Sequence, residues 1–88
     1  MVFLIVVYDV EVDRVNKVKS LLREYLFWVQ NSVFEGEITV SKFEELKWNL
    51  KKEIDENADS IIFYIFRAKP AVKKEVVGVE KSDLEEVM

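Results

Sequence analysis

The sequence predicts a single α+β domain in which one antiparallel sheet carries two helices. Two short apolar runs, residues 2–9 and 61–66, are rich in β-branched and aromatic residues, which is typical of strands covered on both faces. Two segments between these runs repeat apolar residues at helical spacing. The chain has 88 residues, half of them hydrophobic, which is enough for one folded domain.

The first strand is the run VFLIVVYD, in which side chains alternate between the two faces. One face comprises Val2, Leu4, Val6 and Tyr8. The other face comprises Phe3, Ile5, Val7 and Asp9. Both faces are apolar, so this strand is expected inside the sheet, with Asp9 at its carboxyl end.

A first helix is predicted after this strand. Asp13 is the expected N-cap, and apolar residues recur at helical spacing over residues 14–26. The opposite side of this helix is basic, with Arg14, Lys17, Lys19 and Arg23. Such a face is often no more than solvated surface charge.

The middle of the chain predicts a β-hairpin. Residues 28–34 alternate and are rich in residues that favour strands. We expect Glu35-Gly36 to form the turn, because glycine adopts positive φ without steric cost, and residues 37–40 to return as a strand.

A second helix is predicted over residues 42–57, because Ser41 and Glu44 have the spacing of a capping box. Residues 61–66 then form another strand, and residues 75–79, which include Val76–Val79, form a short additional one. The domain therefore spans residues 1–80, and residues 81–88 form a charged tail.

The order of elements, β-α-β-β-α-β with an additional C-terminal strand, predicts a ferredoxin-like fold. Two helices cover only one face of such a sheet, yet both faces of the two long strands are apolar. The simplest cover for the second face is another copy of the chain, so we predict a homodimer packed sheet against sheet. Residues 75–79, from the same chain or its partner, can pair with the apolar edge strand 61–66.

Composition narrows the available chemistry. Thirteen basic and seventeen acidic residues give a net charge of −4, so any nucleic-acid contact must come from local basic patches. The chain has no cysteine and no histidine, which excludes disulfides, thiol catalysis and the usual zinc sites. A bound metal would be a hard ion held by oxygen. No secretory signal or membrane-spanning segment is evident, so a cytoplasmic protein without membrane contact is expected.

Asp9 is the candidate catalytic and metal-binding residue. In a two-fold dimer its carboxylate would approach its own copy, and a divalent ion such as Mg²⁺ or Mn²⁺ would relieve their repulsion. An ion held in this way can activate water against a phosphodiester. The competing interpretation is a turn or capping aspartate. Tyr8 is expected in the core with a bonded hydroxyl, and Asn31 and Ser32 are possible residues of the same cleft.

Three segments together resemble the CRISPR-associated Cas-two (Cas2) family, the smaller of the two core adaptation proteins. They are Tyr8-Asp9-Val10, the basic helix over residues 14–22, and VQNSVFEG at residues 29–36. The pairing of Tyr-Asp with Gln-x-Ser-Val-Phe about twenty residues later is a specific signal. Chain length and element order agree with the family over nearly the whole chain.

The resemblance implies a ferredoxin-like homodimer that acts as a metal-dependent endonuclease on single-stranded RNA or double-stranded DNA. It implies that Asp9 binds the divalent ion and that the fifth strand adds to the partner's sheet. It also implies that the dimer bridges two copies of the CRISPR integrase subunit during spacer acquisition, a role for which cleavage is unnecessary.

The chain departs from the family at two positions. Trp28 stands where many members carry arginine, and Lys17 stands where a second helix arginine is frequent. A lysine does not replace the bidentate phosphate fork of an arginine. Nucleic-acid contact is therefore expected from the basic helix, with further candidates at Arg67, Lys69, Lys73 and Lys74.

Two other functions fit the same fold. One is a toxin-like ribonuclease, expected to slow growth when expressed alone. The other is a non-catalytic regulatory dimer that binds a metabolite, expected to show no nucleic-acid affinity even at low salt, where phosphate contacts are strongest.

Overall fold

The structure is a computed structural model that describes residues 1–69 and 73–82. These residues form four strands and two helices in the predicted order: β1 (Val2–Asp9), α1 (Val12–Tyr25), β2 (Phe27–Gln30), β3 (Val33–Ile38), α2 (Val40–Glu53) and β4 (Ser60–Phe66). The ferredoxin-like fold class is confirmed. No helix of the described part is both long and apolar enough to cross a membrane.

The four strands form one antiparallel sheet in the order β2-β3-β1-β4. β1 is central, as its two apolar faces predicted, and Val6 lies between Phe34 of β3 and Phe63 of β4. β4 lies at one edge of the sheet, also as predicted. No strand pairs with its outer side within residues 1–69 and 73–82.

The hydrophobic core lies between the sheet and the two helices. The inner face of the sheet contributes the alternating residues of β1 and β3: Leu4, Val6, Tyr8, Phe34 and Ile38. Both helices pack on this same face, with Val18, Leu22, Phe43, Leu46 and Leu50. The predicted assignment of β1 side chains to two faces is therefore confirmed.

The outer face of the sheet is apolar along β1 and β4, whereas β3 places Glu37 and Glu35 on it opposite Phe3 and Ile5, and no helix of the described residues covers it. By the strand register, Phe3, Ile5 and Val7 share this face with the β4 residues Ile62, Tyr64 and Phe66. The rings of Phe3 and Phe66 pack with their centroids 5.9 Å apart. Ile62 and Tyr64 are 46 % and 53 % exposed. The predicted mismatch between two apolar sheet faces and one helical cover is present in the chain.

The hairpin turn lies at Asn31-Ser32, so the predicted turn at Glu35-Gly36 was wrong. Asn31 adopts a positive φ of 43°, a conformation that asparagine tolerates better than most residues. Gly36 lies within β3 opposite Leu4. A Cβ at Gly36 would approach Leu26 Cδ2 to 3.0 Å, so the glycine permits close packing and makes no turn.

Both helices begin earlier than predicted. The N-cap of α1 is Glu11, whose side chain makes no capping hydrogen bond, and not Asp13. The N-cap of α2 is Thr39, and the predicted cap at Ser41 was wrong: Thr39 has extended backbone and its Oγ1 accepts a hydrogen bond from the Lys42 backbone N–H at 3.1 Å. α2 ends at Glu53, four residues before the predicted 57, because the chain becomes extended at Ile54.

The predicted additional strand is not formed within one chain. Residues 73–80 are irregular, and Lys74 Nζ lies 3.7 Å from Glu35 Oε1 of β3, away from the edge of β4. An extended segment forms a strand only where it pairs with another, and residues 75–79 pair with none of the four strands. Pairing of residues 75–79 with a second copy stays a prediction. Of the predicted tail, residues 83–88 lie outside the described residues.

Candidate metal and nucleic-acid site

Asp9 is the last residue of the central strand and is exposed on the uncovered face of the sheet. It pairs with Ser60, the first residue of β4, so the two side chains lie on the same face. Asp9 also shares this face with Ile5 and Val7. A carboxylate therefore marks the rim of the apolar surface that a second copy was predicted to cover.

The β2–β3 turn lies on the other side of this strand end. The Tyr8 backbone N–H donates to the Ser32 carbonyl at 3.1 Å, so the turn at Asn31 and Ser32 lies next to the end of β1. That these two residues line a cleft with Asp9 stays a prediction. Tyr8 is 5 % exposed, and its hydroxyl lies 3.5 Å from the Asn31 carbonyl, so the predicted core tyrosine is confirmed.

Trp28 has a structural role in the β2–β3 turn. Its indole Nε1 donates to the Asn31 carbonyl at 3.1 Å, and its ring packs at the border of the core. The carbonyl of Asn31 thus faces two donors, the Tyr8 hydroxyl and the Trp28 indole. Trp28 supports the turn beside Asp9 and presents no cation there.

Asp59 accepts several hydrogen bonds near this rim and was not among the predicted site residues. Its carboxylate is buried and accepts Arg14 Nε at 2.6 Å and Arg14 Nη2 at 2.9 Å. It also accepts the backbone N–H groups of Glu11 at 3.0 Å and Asp55 at 2.9 Å. The hydrogen bonds from Arg14 hold the pKa of the Asp59 carboxyl well below its usual range, although burial acts in the opposite direction.

The Arg14–Asp59 pair joins residues that are 45 positions apart in the chain. A sequence pattern carries no information about such a pairing; the available signal was an acid directly before an apolar strand. Arg14 was predicted to contact nucleic acid. In the structure two sides of its guanidinium are occupied, by Asp59 and by Asp13 at 3.3 Å.

The other basic residues of α1 do not surround Asp9. Lys17 is exposed and forms a loose ion pair with Glu53 of α2 at 3.8 Å. Lys19 is half-buried, and Arg23 lies near the far end of the helix. There Arg23 helps to line an open cleft of about 410 Å³, together with Trp28 and Lys74.

A single chain provides an incomplete metal site. Within residues 1–69 and 73–82, no three carboxylates are grouped closely enough to hold an ion. Asp9 and the neighbouring hydroxyl of Ser60 are oxygen donors, which suits Mg²⁺ or Mn²⁺, and Mg²⁺ sites commonly combine one or two carboxylates with several waters. The donors fit a hard divalent ion if a second copy supplies another carboxylate.

The fold and this rim define a ferredoxin-like protein with an exposed carboxylate at the end of its central strand. Comparison with known proteins adds the family. Residues 1–74 match the model of "CRISPR associated protein Cas2". The chain belongs to this family, which confirms the resemblance seen in the sequence.

Relatives match over nearly the full length. A "CRISPR-associated endoribonuclease Cas2" of Pyrococcus furiosus is 56% identical over 86 residues, which is 98% of this chain and 99% of the relative. One of the same name from Methanothermobacter thermautotrophicus is 53% identical over 87 residues, which is 99% of this chain and 96% of the relative. These names agree with the predicted class of enzyme, a nuclease.

Solved structures agree with the fold. A crystal structure of a Cas2 protein superposes with a TM-score of 0.83 at 51% identity, covering 92% of this chain and 91% of the other. Cas2 of Streptococcus pyogenes superposes with a TM-score of 0.65 at 40% identity, covering 70% and 82%. The alternative of a metabolite-binding regulator gains no support from these matches.

Proposed function

We propose that two copies of this chain form a divalent-metal-dependent endoribonuclease, and that the same dimer serves the CRISPR integrase as a scaffold during spacer acquisition. Relatives over half identical carry the name endoribonuclease, which supports RNA as the substrate. Asp9 is the residue on which catalysis depends.

The observation that carries this proposal is the position of Asp9 on the rim of an uncovered apolar sheet face. Burying an apolar side chain such as Ile62 or Phe66 is favourable by about 1.5–3 kcal/mol. Several such residues therefore favour pairing of this face with its own copy. A two-fold axis beside β1 would bring the two Asp9 carboxylates to a common groove.

The residues around Asp9 have separate tasks in this groove. Mg²⁺ or Mn²⁺ would supply charge against the phosphate and a bound water of lowered pKa. Asp9 holds the ion, and the hydroxyl of Ser60 lies beside it as a hydrogen-bonding group. The apolar residues next to Asp9 on this face, among them Val7 and Ile62, exclude bulk water from the interface between the subunits.

Cations on both flanks of α1 supply the phosphate contacts in this proposal: Lys17 lies on the flank towards α2, and Arg23 on the flank towards β2. Lys17, Lys19 and Arg23 lie on one helix, and Arg14 is left out because Asp59 occupies its guanidinium. Two copies of α1 would present these cations on both sides of the dimer. Binding should therefore weaken as salt rises, with a small slope because few phosphates are contacted.

The edge of β4 supports the dimer in a second way. The backbone N–H and C=O groups on the outer side of β4 have no strand partner among the described residues. Ile65, which belongs to this strand, is 57 % exposed. Residues 75–79 of the partner subunit would pair with this edge and cover it. Such an exchange would protect an apolar strand that otherwise invites aggregation.

The proposal is tested with purified dimer and a labelled single-stranded RNA, in Mg²⁺, in Mn²⁺ and in EDTA. We expect Asp9→Asn to lose cleavage at least a hundredfold while it keeps the dimer. Glu24→Gln is the matched control, because it removes one exposed carboxylate from the surface of α1. Cleavage that persists in Asp9→Asn or in EDTA contradicts the catalytic part.

The scaffold is tested separately, by spacer acquisition in cells that also carry the integrase. We expect the Asp9→Asn dimer to support acquisition, because assembly uses the surface of the dimer and not the bound ion. Slowed growth on expression without the integrase, together with RNA cleavage and no effect on acquisition, would instead favour the toxin-like ribonuclease.

A further inference from the structure

We infer that Asp59 is a positioning residue for Asp9, acting through Arg14 and the first residues of β4. The inference rests on the proposed function, in which Asp9 holds the metal ion. Asp59 itself is buried and does not reach the groove. Its effect is to hold the strand pair that presents Asp9 and Ser60.

The hydrogen-bonding capacity of the Asp59 carboxylate is satisfied within the chain. It accepts four hydrogen bonds, at 2.6 Å and 2.9 Å from Arg14, 3.0 Å from Glu11 and 2.9 Å from Asp55. Side-on binding by Nε and Nη2 fixes the plane of the carboxylate as well as its distance. A carboxylate bound in this way has little freedom to turn.

The donors to the Asp59 carboxylate belong to the ends of the two helices. Glu11 caps the start of α1, Arg14 lies in its first turn, and Asp55 follows the end of α2. One carboxylate thus ties two helix ends to the start of β4.

Asp59 and its donor Glu11 lie close along the chain to the paired residues Asp9 and Ser60. Asp59 directly precedes Ser60, which pairs with Asp9, and Glu11 follows Asp9 by two residues. The carboxylate therefore holds the chain on both sides of the Asp9–Ser60 pair. Supporting residues behind a metal ligand commonly change metal affinity by about 10–100-fold when removed.

The test compares Arg14→Lys and Asp59→Asn with wild type. Arg14→Lys keeps a positive charge but loses the side-on fork, and it leaves the two backbone hydrogen bonds to Asp59 in place. Ile38→Ala is the control for general destabilisation, because Ile38 is a core residue opposite Val2, at the far end of β1.

Two measurements on the dimer decide the matter. Mn²⁺ binding, followed by the electron paramagnetic resonance of the free ion, should weaken about tenfold in Arg14→Lys and Asp59→Asn. It should change less than twofold in Ile38→Ala. Amide exchange in Arg14→Lys should accelerate at Asp9 and Ser60 more than at Val2 and Ile38.

The outcomes separate this inference from the proposed function. Wild type that binds no Mn²⁺ through Asp9 overturns the metal site, and the amide exchange still decides whether Asp59 holds this strand end. Unchanged Mn²⁺ affinity in both variants, or exchange accelerated equally at both ends of β1, overturns the positioning role. Wild-type Mn²⁺ affinity in Arg14→Lys, together with weakened affinity in Asp59→Asn, would show that charge alone suffices and would overturn the role of the fork.

Discussion

Asp9 and Ser60 face each other across β1 and β4, so a carboxylate and a hydroxyl lie side by side on the uncovered face. Replacing Ser60 with aspartate adds a second carboxylate beside the first. We expect Ser60→Asp to bind Mn²⁺ at least severalfold more tightly, because charge and ligand number set the affinity of such sites. Calorimetric titration measures this, with Ser60→Asn as the uncharged control; equal affinity in both variants contradicts the position assigned to the ion.

The uncovered face should control the oligomeric state. Ile62→Lys places a charge among apolar residues of this face, and we expect dimerisation to weaken by at least about 2 kcal/mol, the value of one buried apolar side chain. Sedimentation velocity over a range of concentrations measures the effect. Val12→Lys is the control, because Val12 is 84 % exposed on α1 and outside this face. A monomeric wild type at micromolar concentration would count against the dimer.

The observed cap of α2 can be distinguished from the predicted one. Thr39→Ala removes the oxygen that accepts the Lys42 N–H, and we expect a loss of about 1 kcal/mol in the free energy of unfolding. Ser41→Ala lies inside the helix and should change stability by less than about 0.5 kcal/mol. Urea unfolding measures both. The reverse order would restore Ser41 as the cap.

Close packing at Gly36 predicts a coupled pair of variants. Gly36→Ala brings a methyl group to 3.0 Å from Leu26 Cδ2, and we expect overpacking to cost about 1–3 kcal/mol. The cost should be smaller in a Leu26→Ala background, because the crowding Cδ2 is gone, and the cost that remains comes from the φ of +158° at Gly36, which residues with a Cβ rarely adopt. A double-mutant cycle measures the coupling. Simple additivity would mean that the contact with Leu26 is not the reason for glycine.

The depressed pKa of Asp59 predicts a pH dependence of stability. Above about pH 5 the carboxylate is ionised in both the folded and unfolded chains, and its contribution is complete. As pH falls below the ordinary value of 3.8, the unfolded chain takes up the proton first, so the contribution is lost progressively towards the lower native pKa. The melting temperature should therefore fall more steeply between pH 5 and pH 2 in wild type than in Asp59→Asn. Parallel curves would contradict the shift.

The fold was predictable because hydrophobic alternation is local. The pattern of apolar residues predicts three features of the fold. They are the two faces of β1, the central position of that strand, and helices on only one side of the sheet. The hairpin turn and the helix caps were harder to predict, because glycine is typical of turns and serine is typical of caps, yet Gly36 and Ser41 have neither role. Their actual roles depend on Leu26 and Thr39, and only the packed chain decides between such competing local signals.

The candidate site was predictable in part. Asp9 was a candidate because it ends an apolar strand, and Asn31 and Ser32 were possible residues of the same cleft, which stays a prediction. Asp59 could not be predicted, because its importance lies in donors from two separate segments of the chain, the start of α1 and the end of α2. Arg14 was assigned to nucleic acid for the same reason: charge on a helix face is visible in the sequence, whereas its partner is not.

The hydrogen bond from Glu11 to Asp59 spans 48 residues and so joins the two β-α-β halves of the chain. The donors Glu11 and Arg14 lie in the first half and the acceptor Asp59 lies in the second, so neither half alone can form these hydrogen bonds. We therefore expect the halves to unfold cooperatively, and a fragment ending before β4 to lose order first at the start of α1. A local opening at this corner would also free the carboxyl end of β1, so cooperative unfolding and the presentation of Asp9 depend on the same few atoms.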